Sequence, residues 1–334
     1  DLINIMVNIA QIGVGYWGPN LLRNLVSNTN VNLTTVVDLS EERRHFVESH
    51  YPSVQTTDNV EDIFNNPEIE AVVISTPVET HYDLAIKALN AGKHILVEKP
   101  MATTSDEVNA IHKLATDKNL VAMVGHTFLF NNTVRTIKKL IDDGELGEIR
   151  YIYSQRVNLG RIRSDVDALW NLAPHDISII QYWLDEPNPE QVDRHGMSFV
   201  QDGIDDVVFM NIKYPNNVMA NIHVSWLDPR KIRRMTVVGS KKMVFYDDIA
   251  QNKITIFDKG IDRMAVLGEN MDFDNGNTFT FQHRSGDVLM PKVNWIEPLK
   301  TEITHFVDCI QNGTKCITDA MHAEKVVRIL EMGS

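Results

Sequence analysis

Two short stretches hold the residues of this chain whose types and spacing suit chemistry. In the first, Gly13, Gly15 and Gly18 of "GVGYWG" form a G-x-G-x-x-G triplet between an apolar run and a helix-spaced one. The first glycine allows a tight turn, the second lets backbone approach a pyrophosphate, and the third permits close helix–strand packing. A helix N-terminus then offers unpaired N–H groups and a positive dipole end to phosphates. Asp38 closes the next apolar run, 20 residues beyond Gly18. A carboxylate at that spacing accepts hydrogen bonds from adenosine ribose hydroxyls, and it repels a 2′-phosphate, which favours NAD over NADP. Arg43 and Arg44 nearby keep NADP open. In the second stretch Glu98, Lys99 and Pro100 follow "HILV". An ionisable pair therefore stands where a buried strand runs out, either as a solvated strand end or at the ligand-facing edge of a sheet.

The elements around these residues alternate. "VNIAQIGVG", "VNLTTVVDLS", "IEAVVISTP", "HILVEKP" and "LVAMVGHT" read as strands, several of them continuously apolar. Continuous apolar strands are those buried on both faces, as in parallel sheets covered by helices. Helical runs separate them: "WGPNLLRNLVSN", "EERRHFVESH", a short one at "NVEDIFNN", "THYDLAIKALNAG" with its stop at Gly92, and "TSDEVNAIHKLATDKN" capped by Thr104 or Ser105. This pattern predicts an α/β chain with a Rossmann-type doubly wound parallel sheet over residues 1–124. Residues 125–334 change character. Two helical segments precede two-period strands such as "IRYIYSQRVN", "DVVFMNIKY", "VMANIHVSW", "RRMTVVGS", "KMVFYDD" and "KITIFDK", joined by short turns. An α+β domain with an open, mainly antiparallel sheet is expected. A last helix at about 318–332 is expected to pack back on the first domain.

Composition narrows the function. The 334 residues are 43% hydrophobic and 23% charged, as in ordinary globular proteins, and no apolar run approaches the ~20 residues that span a bilayer. The formal charge of −13 argues against a nucleic-acid groove. The basic "RKIRR", Arg230–Arg234, lies between strand-like runs and reads as a solvated face. The opening residues lack a basic region and a cleavage site, so no signal peptide is expected. Cys309 and Cys316 make no disulfide framework and no recognisable metal cluster, and the 12 histidines show no H-x-x-x-H spacing. A reducing, cytoplasmic setting and no metal are expected. A G-x-S-x-G nucleophile elbow is also missing.

With these residues in view, the chain resembles the Gfo/Idh/MocA family of sugar and cyclitol dehydrogenases. The carriers are "GVGYWG", "STP" at Ser75, Thr76 and Pro77, "HYDLAIKALNAGKHILVEKPMA", "LAPHD" and the closing "TKCITDAMHAEKVVRIL". Two further blocks, "LGRIRSDVDALWNLAPHDISI" and "HVSWLDPRKIRRMTVVGSKKMVFYDD", resemble a subgroup that oxidises the 3-hydroxyl of UDP-N-acetylglucosamine. The resemblance implies hydride transfer from a sugar carbon to nicotinamide. It makes Lys99 the lysine that holds the reacting hydroxyl and His175 its acid/base partner. It also implies a homodimer or homotetramer built through the second sheet. The chain departs from the family at Asn171, where aspartate is usual, and Asp176 is a candidate to compensate.

Further candidates surround that pair. Tyr16, Trp17, Ser75, Thr76, Pro77, His81 and Glu98 are expected near the cofactor. His126, Asn158 and Trp170 are placed near substrate, with Trp170 either stacking on a sugar or filling core. Arg156, Arg161 and Arg163 suit a diphosphate, or else salt bridges with Asp165 or Asp167. The leading expectation is an NAD-dependent dehydrogenase of a nucleotide-linked amino sugar. A catalytically weak dinucleotide-binding regulator and a keto-sugar reductase remain as alternatives. No nucleic-acid or membrane partner is expected.

Overall fold

A computed structural model describes residues 6–265 and 279–334. Residues 1–5, on which the leader expectation partly rests, lie outside the described residues. Six strands form the first sheet: β1 (Val7–Ile12), β2 (Val31–Val37), β3 (Gln55–Thr57), β4 (Ala71–Ile74), β5 (His94–Glu98) and β6 (Ala122–Gly125). All pair in parallel, in the order β3-β2-β1-β4-β5-β6. The continuous apolar runs are buried throughout in β4 and β6, because helices cover both faces. Between β1 and β4 the strand order reverses, and sheets of this kind bind ligands in the crevice outside the carboxyl ends of such strands.

The intervening helices are α1 (Gly18–Ser27), α2 (Glu41–His50), α3 (Glu61–Phe64), α4 (His81–Asn90) and α5 (Ser105–Asp117). Their limits follow from local chemistry. Ser40 caps α2, and Thr104 rather than Ser105 caps α5, in a reciprocal capping box with Glu107. Gly92, at φ +75°, ends α4 as expected.

A second sheet contains β7 (Ile149–Leu159), β8 (Gln191–Met197), β9 (Val207–Tyr214), β10 (Val218–Ser225), β11 (Leu227–Gly239), β12 (Met243–Asp247), β13 (Ile254–Ala265) and β14 (Phe279–Leu289). Its order is β14-β13-β12-β11-β7-β10-β9-β8, antiparallel except where β7 meets β10. The helices α6 (Asn132–Asp142) and α7 (Ala168–Trp183) follow β6 and β7, and α7 packs against β7, β9 and β10. Ala220, Ile222 and Val224 on β10 are buried, whereas Tyr151, Tyr153, Phe209 and Met219 remain 45–50% exposed.

Besides the short edge strand β3, three larger elements were not anticipated. They are β8, β14 and the helix α8 (Pro298–Asn312), which buries Leu299, Ile303, Phe306 and Val307. The "RKIRR" segment needs correction: it lies inside β11 and not between strands. Arg234 within it pairs with Asp247, and Arg233 is half-buried towards Asp248. The last helix, α9 (Ala320–Met332), packs against α5 and α7, and Ala320, Ala323 and Val327 join the apolar core of the first sheet. No helix among the described residues is long and apolar enough to cross a membrane.

Candidate active site

The glycine loop lines one side of the crevice. Gly13 takes φ +94°, and a Cβ there would lie 2.7 Å from the Ser75 carbonyl oxygen. Ser75 Oγ in turn donates to Gly13 O at 2.8 Å, which ties the loop after β1 to the loop after β4. Gln11, fully buried, donates Nε2 to Gly13 O (2.9 Å) and Gly18 O (3.1 Å). It clamps the two ends of the loop, a role that no sequence motif announces.

Only the Arg43 guanidinium, 4.0 Å away, approaches Gly15, and no side chain caps the start of α1. Open space at a helix N-terminus is what a pyrophosphate needs. Tyr16 is 93% and Trp17 40% exposed at the loop's tip. Asp38 is buried and accepts from Val14 N (2.8 Å) and Ser40 N (2.9 Å). It therefore fixes the loop as well as marking the ribose position; a carboxylate has lone pairs left for a hydroxyl. The geometry of the loop thus fits a dinucleotide, which Gly13, Gly15, Gly18 and Asp38 would hold.

Thr76 and Pro77 continue the loop after β4. His81 needs correction as a cofactor ligand. Its ring nitrogens lie 2.8 Å from Thr76 O and 2.8 Å from Pro100 O, so it clamps the two cleft loops together and presents no free nitrogen.

Lys99 stands at the end of β5, with Nζ donating to the main-chain oxygen of Asn171 at 3.2 Å. Loss of hydration in the cleft lowers its pKa to about 8. The Glu98 charge opposes that shift, and Arg156 and Arg163 add to it. Burial also pushes Glu98 up to about 7, against the pull of Lys99. Gly125 leaves room for that carboxylate; a Cβ there would meet it at 3.2 Å. Behind it Glu302 of α8, fully buried, accepts from Thr127 Oγ1 at 2.9 Å and leaves Oε1 unpartnered. Burial, then the Glu98 charge, pushes its pKa well above the ordinary carboxylate value. Glu302 was missed because α8 was missed.

The positive charges of Lys99 and Arg156 add to burial in holding His175 well below its usual pKa, so it is neutral. Its Nδ1 has no hydrogen-bond partner, and its ring lies edge-on to Phe128 at 4.9 Å. Arg156 stacks on the same Phe128 ring, 4.8 Å from its centroid.

Several sequence expectations change here. Arg156 is buried and grips Asp176 through Nε at 2.7 Å and Nη2 at 3.2 Å. It is not offered to a diphosphate, its partner is neither Asp165 nor Asp167, and Asp176 is not free to replace the missing aspartate. Arg163 pairs with Asp165 at the surface. Asn171 turns its side-chain oxygen to Trp226 Nε1, 3.3 Å away. Trp170 Nε1 donates to Ser334 Oγ at 3.1 Å, which commits that edge of the ring to the chain's end. Asn158, near the end of β7, packs over Gly160.

His126 is buried, and its Nδ1 lies 2.9 Å from His322 Nε2. His322 Nδ1 then meets Glu186 Oε1 at 2.5 Å, on a carboxylate that retains some exposure. A continuous line of hydrogen bonds thus runs from beside the Lys99 cleft to solvent across α9.

A glycine-loop crevice whose rim carries a lysine and a neutral histidine fits the class of nicotinamide-dependent oxidoreductases. Residues 7–126 match the oxidoreductase family with an NAD-binding Rossmann fold, and residues 134–245 match the Gfo/Idh/MocA C-terminal domain. The chain belongs to the Gfo/Idh/MocA family. It is similar to the NADP⁺-dependent scyllo-inositol 2-dehydrogenase of Bacillus subtilis (strain 168), with 34% identity over 48% of this chain and 45% of that one. The NAD⁺-dependent scyllo-inositol 2-dehydrogenase of the same organism is 25% identical over 94% of this chain and 89% of its own. The chain spans about half the length of the first curated relatives it matches, 51%, 45% and 58%. The solved UDP-N-acetylglucosamine 3-dehydrogenase of Acidithiobacillus ferrooxidans superposes with a TM-score of 0.79 at 22% identity, over 98% of this chain and 97% of that one. At that identity the likeness shows the fold alone.

Proposed function

We propose that the chain oxidises a secondary hydroxyl of a sugar, using NAD in preference to NADP, and that the sugar is a UDP-linked amino sugar attacked at C3. The observation that carries the reaction class is Lys99, near neutrality and tethered to Asn171 O, beside a neutral His175 at the mouth of the glycine-loop crevice. Gly13, Gly15 and Gly18 hold the pyrophosphate and Asp38 the adenosine ribose. When bound, the dinucleotide supplies the hydride acceptor. Lys99 orients the reacting hydroxyl. His175, kept neutral, accepts its proton, and the tether keeps Lys99 on the substrate side of the cleft. The line His126, His322 and Glu186, which starts beside the cleft, offers released protons a hydrogen-bonded route to solvent.

The regulator reading loses its motive, since the main-chain carbonyl of residue 171 anchors Lys99 whichever side chain stands there. The nucleotide-sugar reading is supported by the two subgroup-like blocks; the arginines support it less than their spacing suggested. Incubation with NAD and UDP-N-acetylglucosamine should raise the absorbance of reduced nicotinamide. Turnover of free inositol or glucose but of no UDP-sugar would refute the substrate. Failure with every polyol and sugar under either cofactor would refute the dehydrogenase reading.

A further inference from the structure

Behind the cleft, three donor side chains that this reaction does not use come together. His305 and Cys309 lie one turn apart on one face of α8. Past the helix end, Gly313 takes φ +65°, and the chain returns so that Cys316 reaches the same face. His305 Nε2, Cys309 Sγ and Cys316 Sγ all lie within 4.8 Å of one another. This corrects the expectation that the two cysteines stand apart from any metal-ligand cluster.

We propose that His305, Cys309 and Cys316 form a binding site for a thiophilic divalent cation of the Zn²⁺ class, with the fourth coordination position open. Spacing supports it quantitatively. Metal–sulfur and metal–nitrogen bonds of about 2.3 and about 2.05 Å at a tetrahedral angle put N and S about 3.6 Å apart. His305 Nε2 and Cys309 Sγ are already 3.5 Å apart. Two thiols and an imidazole are a soft donor set that Mg²⁺ and Ca²⁺, which take oxygen ligands, do not favour. Cys309 is buried while His305 and Cys316 are partly exposed, which leaves an entry path.

The His305 ring is steadied by Phe130, at 5.4 Å between centroids. Ile317 N donates to His305 Nε2 at 3.0 Å, so that nitrogen is unprotonated and its lone pair faces the loop bearing Cys316. A cation takes this lone pair in place of the Ile317 N–H. Just beyond, Thr318 O accepts from Val124 N at 2.8 Å and Asp319 bridges Met123 on β6. The bound ion would therefore pin the α8–α9 connection to the edge of the first sheet, two residues from His126. The site does not depend on the dehydrogenase reading.

The test is titration of the full chain, metal-stripped and kept reduced, with Co²⁺ and then Zn²⁺. One equivalent of Co²⁺ should give thiolate-to-cobalt charge-transfer absorption, which Zn²⁺ then abolishes. Cys316→Ser and His305→Gln should each lose the absorption while keeping the circular dichroism of the parent. In the unsubstituted chain Zn²⁺ should protect both thiols from alkylation, counted by mass; this holds even if a variant does not fold. Absence of the absorption, its survival in Cys309→Ser/Cys316→Ser, or unprotected thiols at saturating Zn²⁺ would each overturn the proposal.

Discussion

Replacing Lys99 by methionine should stabilise the protein while removing its chemistry. Cleft burial lowers the Lys99 pKa from 10.5 to about 8. At roughly 1.36 kcal/mol per unit, holding that ammonium charged at neutral pH costs the folded state about 3 kcal/mol. Lys99 keeps some contact with cleft water, and screening cuts the figure to about 1.5 kcal/mol. Methionine keeps the length and the apolar stem. Glu98, deprived of the charge that most lowers its pKa, rises further from about 7 and takes a proton, so no bare carboxylate is left behind. The net expectation is a gain of about 1 kcal/mol at pH 7, read as a higher urea midpoint.

The pH dependence of that gain has a definite sign. Because the folded-state pKa of Lys99 is depressed, the unfolded chain binds more protons between about pH 8 and pH 10.5. The Lys99 penalty is therefore complete below about pH 8 and fades towards pH 10.5, and the advantage of Lys99→Met should shrink over the same window. Turnover should fall by about 10²–10⁴, the range of general acid–base contributions. A variant that is less stable than the parent at pH 7, an advantage that grows with alkalinity, or turnover within tenfold of the parent would refute the reasoning.

Gly13→Ala must place its Cβ 2.7 Å from Ser75 O at φ +94°, so it should lose dinucleotide binding and about 1–3 kcal/mol of stability, measured by NADH fluorescence titration and urea unfolding. Asn171→Ala removes the side chain but not the carbonyl that holds Lys99, so turnover should stay within about tenfold of the parent; a loss near 10³ would show that the side chain itself is needed. His322→Gln should slow steady-state turnover about tenfold in dilute buffer, with imidazole restoring it and the first hydride transfer unchanged in stopped flow. The exposed face bearing Tyr151, Tyr153, Phe209 and Met219 is the expected contact between copies, so Tyr153→Glu should lower the mass seen by light scattering; a parent that is already monomeric at micromolar concentration would refute it.

What could be read in advance follows from how each feature is encoded. The parallel sheet was legible because burial on both faces makes β4 and β6 continuously apolar. The polar edge strand β8, "QVDRHGM", has most of its side chains exposed and carries no such mark. In α8 the helical spacing of Leu299, Ile303 and Phe306 was present but gave no helix in the sequence reading, and with it went Glu302 and His305. The thiol cluster has its own reason for escaping notice: H-x₃-C followed by C-x₆-C matches none of the common metal spacings, and only the turn at Gly313 brings Cys316 back.

The active site divides along a different line. Glycines and an acidic strand end announce a dinucleotide because their positions along the chain are themselves the geometry. The partners of the arginines and of Lys99 are long-range. Asp176 lies 20 residues from Arg156, on another element, and takes the guanidinium away from any phosphate. Residue 171 acts on Lys99 through its main chain, to which a list of side chains is blind. This changes the meaning of the asparagine. Had Lys99 depended on a carboxylate, its loss would have left a half-buried ammonium with only Glu98 to face. With the carbonyl as anchor, the substitution at 171 changes what the substrate and Trp226 meet and leaves the lysine in place. For the reaction proposed above, the departure from the family pattern therefore bears on which hydroxyl would be presented to Lys99 more than on whether the chemistry runs.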